Sequence, residues 1–571
     1  MLGSPHYNSI WWGDPVSRLA MYETRFLPRH GGDKMQDYDY IIVGAGAAGC
    51  VLAYRLGVDP SLKIAVLEAG GADRNIMIKI PAGFSKTVYN PKLNWGYETA
   101  PGAHIDNRRI MFPRGKVIVG SGSINGHLYV RGQSADYDTW AQLGCRGWAW
   151  DDVLPYFKRA ETRGNGGGDP AVRGHDGPLH IQDQRDPQPL SDAYIAANAA
   201  LGLPRTPDYN SGNQEGTFLY QQMMKDGRRW SPADAYLRPA LKRGNIHLIQ
   251  HALAEAVILD GKRATGVRFR IGNGPVQDIR ARRDVILSGG SINTPQLLQL
   301  SGIGDPEWLA DIGVTVRHAL PGVGRNLRDH YAVRLAALVK GAGSLNERSH
   351  GLRLVAEVIR YGLFRKGLLA QSPSHAGAYY KTRPELETPD MQLYFAPASY
   401  AGGRYGQSDL DTRPGMTLGC AQLRPESVGH LKAQSADPRA KPEIQPNYLA
   451  DRIDRAALLS AMKYMRRLLQ TAPLSRFVAE ESFPGPDVVT DEDWMAHARA
   501  TGTTTYHPVG TCKLGTDPMA VVVPRSMRVH GLSGLRVADA SVMPTMVSGN
   551  TYAATNMIAE KAADLIANQE M

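Results

Sequence analysis

The sequence has few cysteines and no long apolar run, and these absences argue against particular kinds of site and of protein. Only four cysteines occur in 571 residues, and no C-x-x-C pair joins Cys50, Cys145, Cys420 and Cys512. This spacing argues against a thiolate zinc site or a disulfide framework, and it favours a reducing, cytoplasmic location. No uninterrupted apolar stretch reaches about 18 residues, so we expect no transmembrane helix. Peripheral association with a membrane stays open.

Concentrated charge of one sign is also missing. The 65 basic and 55 acidic residues leave a net charge of +10, and the basic residues are scattered, so we expect no nucleic-acid partner. A non-enzymatic basic binding protein is a weak alternative that rests on this charge alone. No cluster of histidine, cysteine and carboxylate side chains has metal-ligand spacing, so we expect no metal.

Some segments lack the spacing of apolar residues that predicts a helix or a strand. Residues 1–36 contain Pro, Gly and the Trp11-Trp12 pair but no apolar signal core, which predicts a loose leader or disordered tail. Residues 160–185 and 401–414 are rich in Gly, Asp and Arg, which predicts surface loops.

Order begins near Asp37 with a strand, a glycine turn, a helix and a second strand. Residues 38–43 are a β-branched run, Gly44-Ala45-Gly46-Ala47-Ala48-Gly49 follows, residues 50–56 have helical spacing, and residues 63–68 end in Glu68. In such a unit the glycines allow a tight turn, close approach of a pyrophosphate, and helix packing, while the acid binds ribose hydroxyls. The pattern predicts a dinucleotide-binding unit, for which a nicotinamide dehydrogenase is one possibility.

The remaining pattern indicates a mixed α/β chain. Strands are predicted at residues 245–249, 254–259, 266–270, 284–288 and 535–539, and helices at 352–366, 455–470 and 553–567.

Further motifs are spread over the chain. They are Asn94-Trp95-Gly96-Tyr97, residues 113–126 (PRGKVIVGSGSING), residues 290–304 (GSINTPQLLQLSGIG), His507-Pro508-Val509-Gly510-Thr511-Cys512, residues 537–541 (VADAS) and Gly549-Asn550-Thr551. Together with the glycine turn, they resemble the glucose–methanol–choline (GMC) flavoprotein oxidoreductases over nearly the whole chain, and most closely the bacterial alcohol and choline dehydrogenase branch.

The resemblance implies an α/β composite fold with a Rossmann-like FAD-binding domain built from residues 37–335 and 500–571, with substrate-side insertions near 155–235. Residues 336–499 would form a substrate-binding domain with an antiparallel sheet and helices. It implies FAD as cofactor, held by Gly44, Gly46, Ala47, Ala48, Gly49, Glu68, Ala69, Asn94, Trp95, Gly120, Ser121, Asn125, Gly126, Val130, Ala254, Tyr506, Asp539, Ala540 and Thr551.

Two departures from the family pattern fall in the loop near the flavin. The first family signature has GG where this chain has Val119-Gly120, and Ser or Thr where it has Gly122. Because the β-branched Val119 disfavours a positive φ, we expect this loop to be slightly reshaped. Ile124 stands where some members carry a histidine that binds flavin covalently, so we expect non-covalent FAD.

The resemblance also implies an alcohol oxidation, with a primary or benzylic-type alcohol as the default substrate. His507 occupies the family's catalytic position and Asn550 the second one, so we predict that His507 is the base and that Asn550 orients the substrate oxygen for hydride transfer to flavin N5. His330 and His530 are interpreted as structural and Tyr552 as packing, while His127 either lines the cavity or packs beneath it.

Other activities on the same scaffold are less consistent with the sequence. Photodecarboxylases lack a histidine at the position of His507 and carry a cysteine where this chain has Leu423, and hydroxynitrile lyases remain a minor alternative. The electron acceptor is either a quinone-like carrier, which the branch favours, or O₂. Oligomeric state is not encoded in any of these motifs.

Overall fold

The computed structural model describes residues 37–164, 167–400 and 410–568. The predicted leader, residues 1–36, and most of the predicted loop at 401–414 lie outside these ranges. The described chain is a mixed α/β structure in which two seven-stranded sheets dominate, as the sequence predicted. The division into an FAD-binding and a substrate-binding domain at residues 336 and 499 stays a prediction.

The first large sheet contains the glycine turn. Its strands are Asp37–Val43, Ile64–Glu68, Ile246–Gln250, Ala252–Asp260, Arg263–Ile271, Val276–Leu287 and Leu535–Val537. Strand Asp37–Val43 lies between Ile64–Glu68 and the end of Val276–Leu287, in parallel to both. Its residues from Tyr40 to Val43 are apolar and buried, as expected of a parallel strand covered on both faces, whereas Asp37 and Asp39 lie at its more exposed start.

Helices from distant parts of the chain cover this sheet. The glycine-turn helix Ala47–Leu56 contacts the C-terminal helix Tyr552–Ala567. Glu560 on the C-terminal helix is buried and accepts hydrogen bonds from Arg55 (2.7 and 2.9 Å) and from Arg159 (2.8 Å). The last helix of the chain is thereby tied to the first.

The second large sheet is antiparallel. Its strands are Gly216–Leu219, Tyr331–Val339, Ala376–Tyr380, Met391–Ala396, Gly415–Gln422, Val478–Phe483 and Thr503–Thr504. Along a strand successive side chains point to opposite faces, so Val333 and Leu335 pack in an apolar core with helix Arg452–Gln470, whereas Ala332 and Arg334 face a cavity. This sheet therefore forms one wall of that cavity.

Smaller elements complete the described chain. The other strands are Tyr97–Glu98, Met111–Phe112, Glu161–Arg163, Leu179–Gln182, Gln222–Lys225, Arg228–Arg229, Ile303–Gly304, His318–Ala319, His430–Lys432 and Glu443–Gln445. The other helices are Ile76–Lys79, Phe84–Thr87, Ser134–Gln142, Trp150–Ala160, Pro189–Ala200, Arg238–Leu241, Gly290–Leu300, Pro306–Asp311, Leu345–Arg348, Gly351–Phe364 and Asp491–Thr501. Within the described ranges, none of the helices combines the length and apolar character needed to span a bilayer.

The prediction of a surface loop over residues 160–185 is wrong in part. Residues Glu161–Arg163 and Leu179–Gln182 pair as strands, and Arg173 between them is fully buried, because its guanidinium donates to Glu161 at 2.7 Å and to Asp208 at 2.9 Å. The polar composition of this segment therefore has two origins, because residues 168–171 are exposed whereas Glu161 and Arg173 belong to a buried ion-pair network.

Candidate active site

A cavity of about 300 Å³ opens at the carboxyl ends of the parallel strands. Two helices begin at its wall: Ala47–Leu56, directly after the glycine turn, and Gly290–Leu300. Their first backbone N–H groups have no partner within the helix and carry a partial positive charge, which suits phosphate groups. The cavity is therefore built for an elongated anionic ligand at this end.

The three glycines of the turn motif are required for different reasons. A Cβ added to Gly49 would lie 1.9 Å from the Gly44 carbonyl oxygen, and Gly44 itself has a φ of +103°. A Cβ on Gly46 would meet nothing closer than the Ser288 oxygen at 3.7 Å, yet Gly46 lines the cavity. Gly44 and Gly49 are needed for the turn and for packing, whereas Gly46 leaves room for a ligand. This arrangement fits a pyrophosphate.

Glu68 lies at the end of the second strand, as the fingerprint requires. It is buried and accepts hydrogen bonds from the backbone N–H groups of Ala45 at 3.0 Å and Gly70 at 2.7 Å. Burial raises the pKa of its carboxyl to about 7, opposed by these two hydrogen bonds. Each carboxylate oxygen retains a further lone pair that can accept a hydroxyl hydrogen.

Val119, in the loop next to the cavity, takes the positive φ that its residue type disfavours, and the expected reshaping of the loop stays a prediction. Val119 adopts the left-handed region, with φ +72° and ψ −4°, although its β-branched side chain disfavours it. Its side chain is fully buried, and its N–H donates to the Ala45 carbonyl at 2.7 Å. A Cβ on Gly122 would lie 2.5 Å from the Tyr552 hydroxyl and 2.7 Å from Val119 Cγ1, so the two departures from the family pattern are packed against each other.

His507 and Asn550 meet at the cavity. Asn550 Nδ2 lies 3.0 Å from His507 Nε2, and Gln392 Nε2 donates to Asn550 Oδ1 at 3.4 Å, which turns the amide nitrogen toward the imidazole. The backbone N–H of His507 donates to Asp329 Oδ1 at 2.7 Å. The two predicted catalytic side chains are therefore adjacent, although 43 residues separate them.

His330, which the sequence analysis interpreted as structural, lies directly against His507. The two Nδ1 atoms are 3.0 Å apart, and His330 Nε2 lies 2.8 Å from the Leu423 carbonyl oxygen. Because a carbonyl only accepts, His330 carries its proton on Nε2 and its Nδ1 accepts from His507. This chain of hydrogen bonds assigns the His507 proton to Nδ1, where Thr505 Oγ1 at 2.9 Å is a second acceptor. It leaves Nε2 with a lone pair facing Asn550.

Both imidazoles are neutral near neutral pH. Burial, with smaller contributions from His330 and Arg114, holds the pKa of His507 well below its usual range. Burial lowers the pKa of His330 to about 4, partly opposed by the hydrogen bond to Leu423. A buried imidazole resists protonation because its charged form is poorly solvated.

Most of the predicted site residues line the cavity. Those that line it are Gly46, Ala47, Ala48, Trp95, Gly120, Ser121, Asn125, Gly126, Tyr506, His507, Asp539, Ala540, Asn550 and Thr551. Those that stand behind or beyond the wall are Gly44, Gly49, Glu68, Ala69, Asn94, Val130 and Ala254.

Two of the residues that do not line the cavity, Asn94 and Val130, make contacts within the protein. Asn94 Oδ1 accepts from the N–H of Gly96 at 2.8 Å, and Asn94 Nδ2 donates to the Val88 carbonyl. Val130 is fully buried, and a Cβ on Gly549 would lie 2.6 Å from its Cγ1. In both cases the side chain supports neighbouring loops of the wall.

Several cavity residues had no clear signal in the sequence. His127 and Tyr552 both line the cavity, so the interpretation of Tyr552 as mere packing is incomplete. Both ring nitrogens of His127 are buried and have no hydrogen-bond partner within the described part of the chain. Arg229, itself buried, donates to the side-chain and backbone oxygens of Asn125 at 2.6 Å each and so fixes that residue. Across residues 37–164, 167–400 and 410–568, no group of three metal-ligating side chains could hold an ion.

Comparison with known proteins identifies the family. The model of the GMC oxidoreductase N-terminal region matches residues 38–332, and that of the C-terminal region matches residues 425–559. The chain belongs to the GMC oxidoreductase family. It is 38% identical over 537 residues to an alcohol dehydrogenase [acceptor] of Pseudomonas putida, covering 93% of this chain and 95% of the relative.

Other relatives agree with this assignment. An oxygen-dependent choline dehydrogenase of Sinorhizobium fredii is 40% identical over 534 residues, covering 93% of this chain and 96% of the relative. Pyridoxine 4-oxidase from Mesorbium loti superposes with a TM-score of 0.83 at 28% identity, covering 92% and 98% of the two chains. A formate oxidase of Aspergillus oryzae gives 0.88 at 25% identity, covering 94% and 98%. The prediction of an FAD-dependent alcohol oxidoreductase of this family is confirmed.

Proposed function

We propose that this protein oxidises a primary or benzylic-type alcohol to the carbonyl compound, with His507 as the base and Asn550 as the residue that orients the substrate oxygen. The observation that carries this proposal is the lone pair of His507 Nε2 facing Asn550 Nδ2 at 3.0 Å on the wall of the cavity. A hydroxyl that approaches both side chains from the cavity would replace their direct hydrogen bond, donating to Nε2 and accepting from Nδ2.

The residues have complementary tasks as the alcohol reacts. His507 Nε2 takes the hydroxyl proton, and the new charge on the imidazole is stabilised because Nδ1–H donates to His330 Nδ1. Asn550 Nδ2 donates to the oxygen as negative charge develops there. When bound, FAD supplies the acceptor for the hydride that leaves the carbinol carbon.

The cofactor would be held by the glycine turn, the two helix N-termini and the cavity residues of the flavin loop. Gly46, Ala47 and Ala48 would contact the pyrophosphate, Glu68 the ribose, and Asp539 and Ala540 the neighbouring phosphate and ribityl region. We propose non-covalent binding, because the alkyl side chain of Ile124 has no nucleophilic atom.

The substrate would be bounded by the second sheet, within the proposed substrate-binding domain of residues 336–499 and its neighbours. The wall there consists of Ala332, Arg334, Tyr394, Ala396, Thr417 and Gly419. These mostly small side chains leave space for an alcohol of moderate size.

We propose a quinone-like carrier as electron acceptor. The Pseudomonas putida relative is named for an unspecified acceptor, and O₂ is the alternative, which the name of the oxygen-dependent choline dehydrogenase favours. We also propose a cytoplasmic location, because all four cysteines are buried free thiols.

The test is anaerobic mixing of the FAD-loaded protein with a panel of primary and benzylic alcohols while flavin absorbance is followed. We expect bleaching in the unmodified protein and a fall of at least about 10²-fold in its rate in His507→Ala. His104→Ala, at an exposed position, is the matched control and should react at the original rate. Near-normal bleaching in His507→Ala would overturn the role of His507 as base.

Admission of air and then of a soluble quinone distinguishes the two acceptors. Recovery of the flavin absorbance only with the quinone supports the dehydrogenase, and rapid recovery in air supports an oxidase. Cleavage of a cyanohydrin, or CO₂ release from a fatty acid under light, without reduction by any alcohol would instead favour a lyase or a photodecarboxylase. A protein that purifies colourless and reduces NAD would favour a nicotinamide enzyme.

A further inference from the structure

The helix Gly351–Phe364, here called the outer helix, has its apolar side turned to solvent. Six of its side chains are more than half exposed: Leu352, Val355, Val358, Ile359, Leu363 and Phe364. At 3.6 residues per turn, Leu352, Val355, Ile359 and Leu363 form one stripe along the helix. Leu352 is 87% exposed and Leu363 is 71% exposed. A surface helix of a globular protein normally buries such a stripe.

The side of the outer helix that faces the protein is polar. Its two buried residues are Glu357 and Tyr361. Glu357 accepts hydrogen bonds from Arg348 Nε at 2.8 Å and from the N–H of Leu368 at 2.7 Å, and the Tyr361 hydroxyl donates to the Gly227 carbonyl at 3.0 Å. These contacts fix the orientation of the helix, so the apolar stripe is held outward by specific bonds.

Cationic residues border the stripe. Arg353 and Arg360 lie on the same flank of the helix, and Arg365 and Lys366 follow its end. Arg360 is paired with Asp186 at 3.3 Å and with the one acid on the helix, the buried Glu357, at 3.8 Å. The charge of the border therefore comes from Arg353, Arg365 and Lys366. An exposed apolar stripe with a basic border is the composition of helices that lie in the interface of an anionic bilayer.

We propose that the outer helix docks this protein on an anionic lipid surface, with the stripe inserted among the acyl chains and the basic residues at the headgroups. Pairing with a second copy is disfavoured by charge. A two-fold interface pairs the same patch on both subunits. It would place Arg353 of each copy against Arg365 and Lys366, or against its own equivalent, with no exposed acid on the helix to compensate.

The docked surface lies next to the wall of the active-site cavity. The outer helix leads through the turn Leu368–Ala370 to Pro373 and Ser374, which line the cavity, and that turn contacts Pro81–Gly83. Pro81–Gly83 follows Ile76 and Met77, two further exposed apolar residues. Lipid docking therefore brings the cavity wall close to apolar alcohols or carriers dissolved in a bilayer.

The test is co-sedimentation of the FAD-loaded full chain with unilamellar vesicles of phosphatidylcholine and phosphatidylglycerol, and with vesicles of phosphatidylcholine alone. We expect binding to the anionic vesicles that weakens with added salt. Leu352→Ser with Leu363→Ser should lower partitioning at least about tenfold, and Arg353→Glu with Lys366→Glu should abolish the preference for phosphatidylglycerol. Both variants should keep the rate of alcohol oxidation with a soluble dye.

The matched control is Val58→Ser with Val489→Ser, at positions 63% and 68% exposed elsewhere on the protein, and it should sediment like the unmodified chain. Failure of the unmodified protein to bind anionic vesicles would overturn the proposal. So would a dimer in light scattering that Leu352→Ser with Leu363→Ser dissociates, since a second copy would then cover the stripe. Loss of binding in a chain that begins at Met35 would assign the lipid contact to the N-terminal segment instead.

Discussion

At the scale of single residues, the site is defined by where protons are held. The Leu423 carbonyl fixes the proton of His330 on Nε2, and His330 in turn fixes the proton of His507 on Nδ1. The His507 Nε2 atom that faces Asn550 therefore carries a lone pair and no hydrogen. An imidazole in the other tautomer would present a donor to the substrate hydroxyl and could not act as a base.

The pH dependence of flavin reduction should follow from the lowered pKa of His507. The base works only in its neutral form, and a folded-state pKa below the ordinary value of about 6.5 keeps that form present in more acidic solution. The rate should therefore stay level as pH falls through about 6.5 and decline only below it. Stopped-flow reduction at a saturating alcohol concentration measures this, and an acid limb centred at or above about 6.5 would contradict it.

His330 should act as a positioning residue for His507. His330→Leu removes one of two acceptors of the Nδ1 proton and leaves Thr505 Oγ1 at 2.9 Å, so we expect the flavin reduction rate to fall about tenfold with little change in substrate affinity. Because the hydrogen bond to His330 stabilises the protonated form of His507, its loss lowers the pKa of His507 further and the acid limb should move to lower pH. His330→Asn, whose amide can accept from His507, should restore part of the rate. Equal loss in both variants, with an unshifted pH profile, would indicate a purely structural role.

These residue-scale relationships show where sequence analysis stops. His507 and Asn550 were found because they lie in recognisable motifs. The contact of His330 with His507 could not be predicted because 177 residues separate the two. Their rings are brought together by pairing of Tyr331 with Thr504 and of Arg328 with Val509. Gln392, which orients Asn550, lies in a strand of the same sheet and carries no motif at all.

At the scale of elements, the glycines of the turn meet two separate requirements, which are close packing within the protein and space for the cofactor. Gly49→Ala should destabilise the protein itself, because the added methyl would lie 1.9 Å from the Gly44 oxygen. Gly46→Ala should leave the fold intact, since its nearest neighbour is at 3.7 Å, but should reduce FAD affinity by obstructing the pyrophosphate. Circular dichroism and FAD titration of both variants measure these effects. Loss of the fold in Gly46→Ala would contradict the assignment.

The loop next to the cavity that contains Val119 and Gly122 provides a second test at this scale. Gly122→Ser should destabilise the protein by about 1–3 kcal/mol, because its Cβ would collide with Tyr552 and Val119. In a Val119→Gly background one of the two collisions is removed, so the same change should cost at least about 0.5 kcal/mol less. Urea unfolding of the four proteins in the cycle gives the coupling, and strict additivity would contradict contact between these positions.

The elements of the first sheet could be predicted more fully than those of the second. The run at residues 38–43 and the segment at 245–249 appear in the structure as Asp37–Val43 and Ile246–Gln250. Ala376–Tyr380 and Gly415–Gln422 gave no strand signal, because both are buried along their whole length and rich in small residues. Without alternation of polar and apolar residues, a buried strand cannot be told from other apolar segments.

At the scale of the whole molecule, the cavity joins segments from both ends of the chain. Gly46, Gly120, Gly290, Asp539 and Asn550 all line it, although 504 positions separate the first from the last. A ligand that bridges these segments stabilises the folded chain as a whole, because the unfolded chain cannot bind it. Cofactor binding and global stability should therefore be linked.

The last prediction concerns release of FAD. Because Ile124 cannot form a bond to flavin, acid precipitation should leave a colourless pellet and a yellow supernatant. The apoprotein should unfold at a lower temperature, and FAD at about 100 times its dissociation constant should restore about 2.7 kcal/mol of stability; calorimetry against FAD concentration measures this. An unfolding temperature independent of FAD would mean that the segments do not converge on the cofactor. Colour retained by the pellet would contradict non-covalent binding and direct attention to His127, which lines the same cavity.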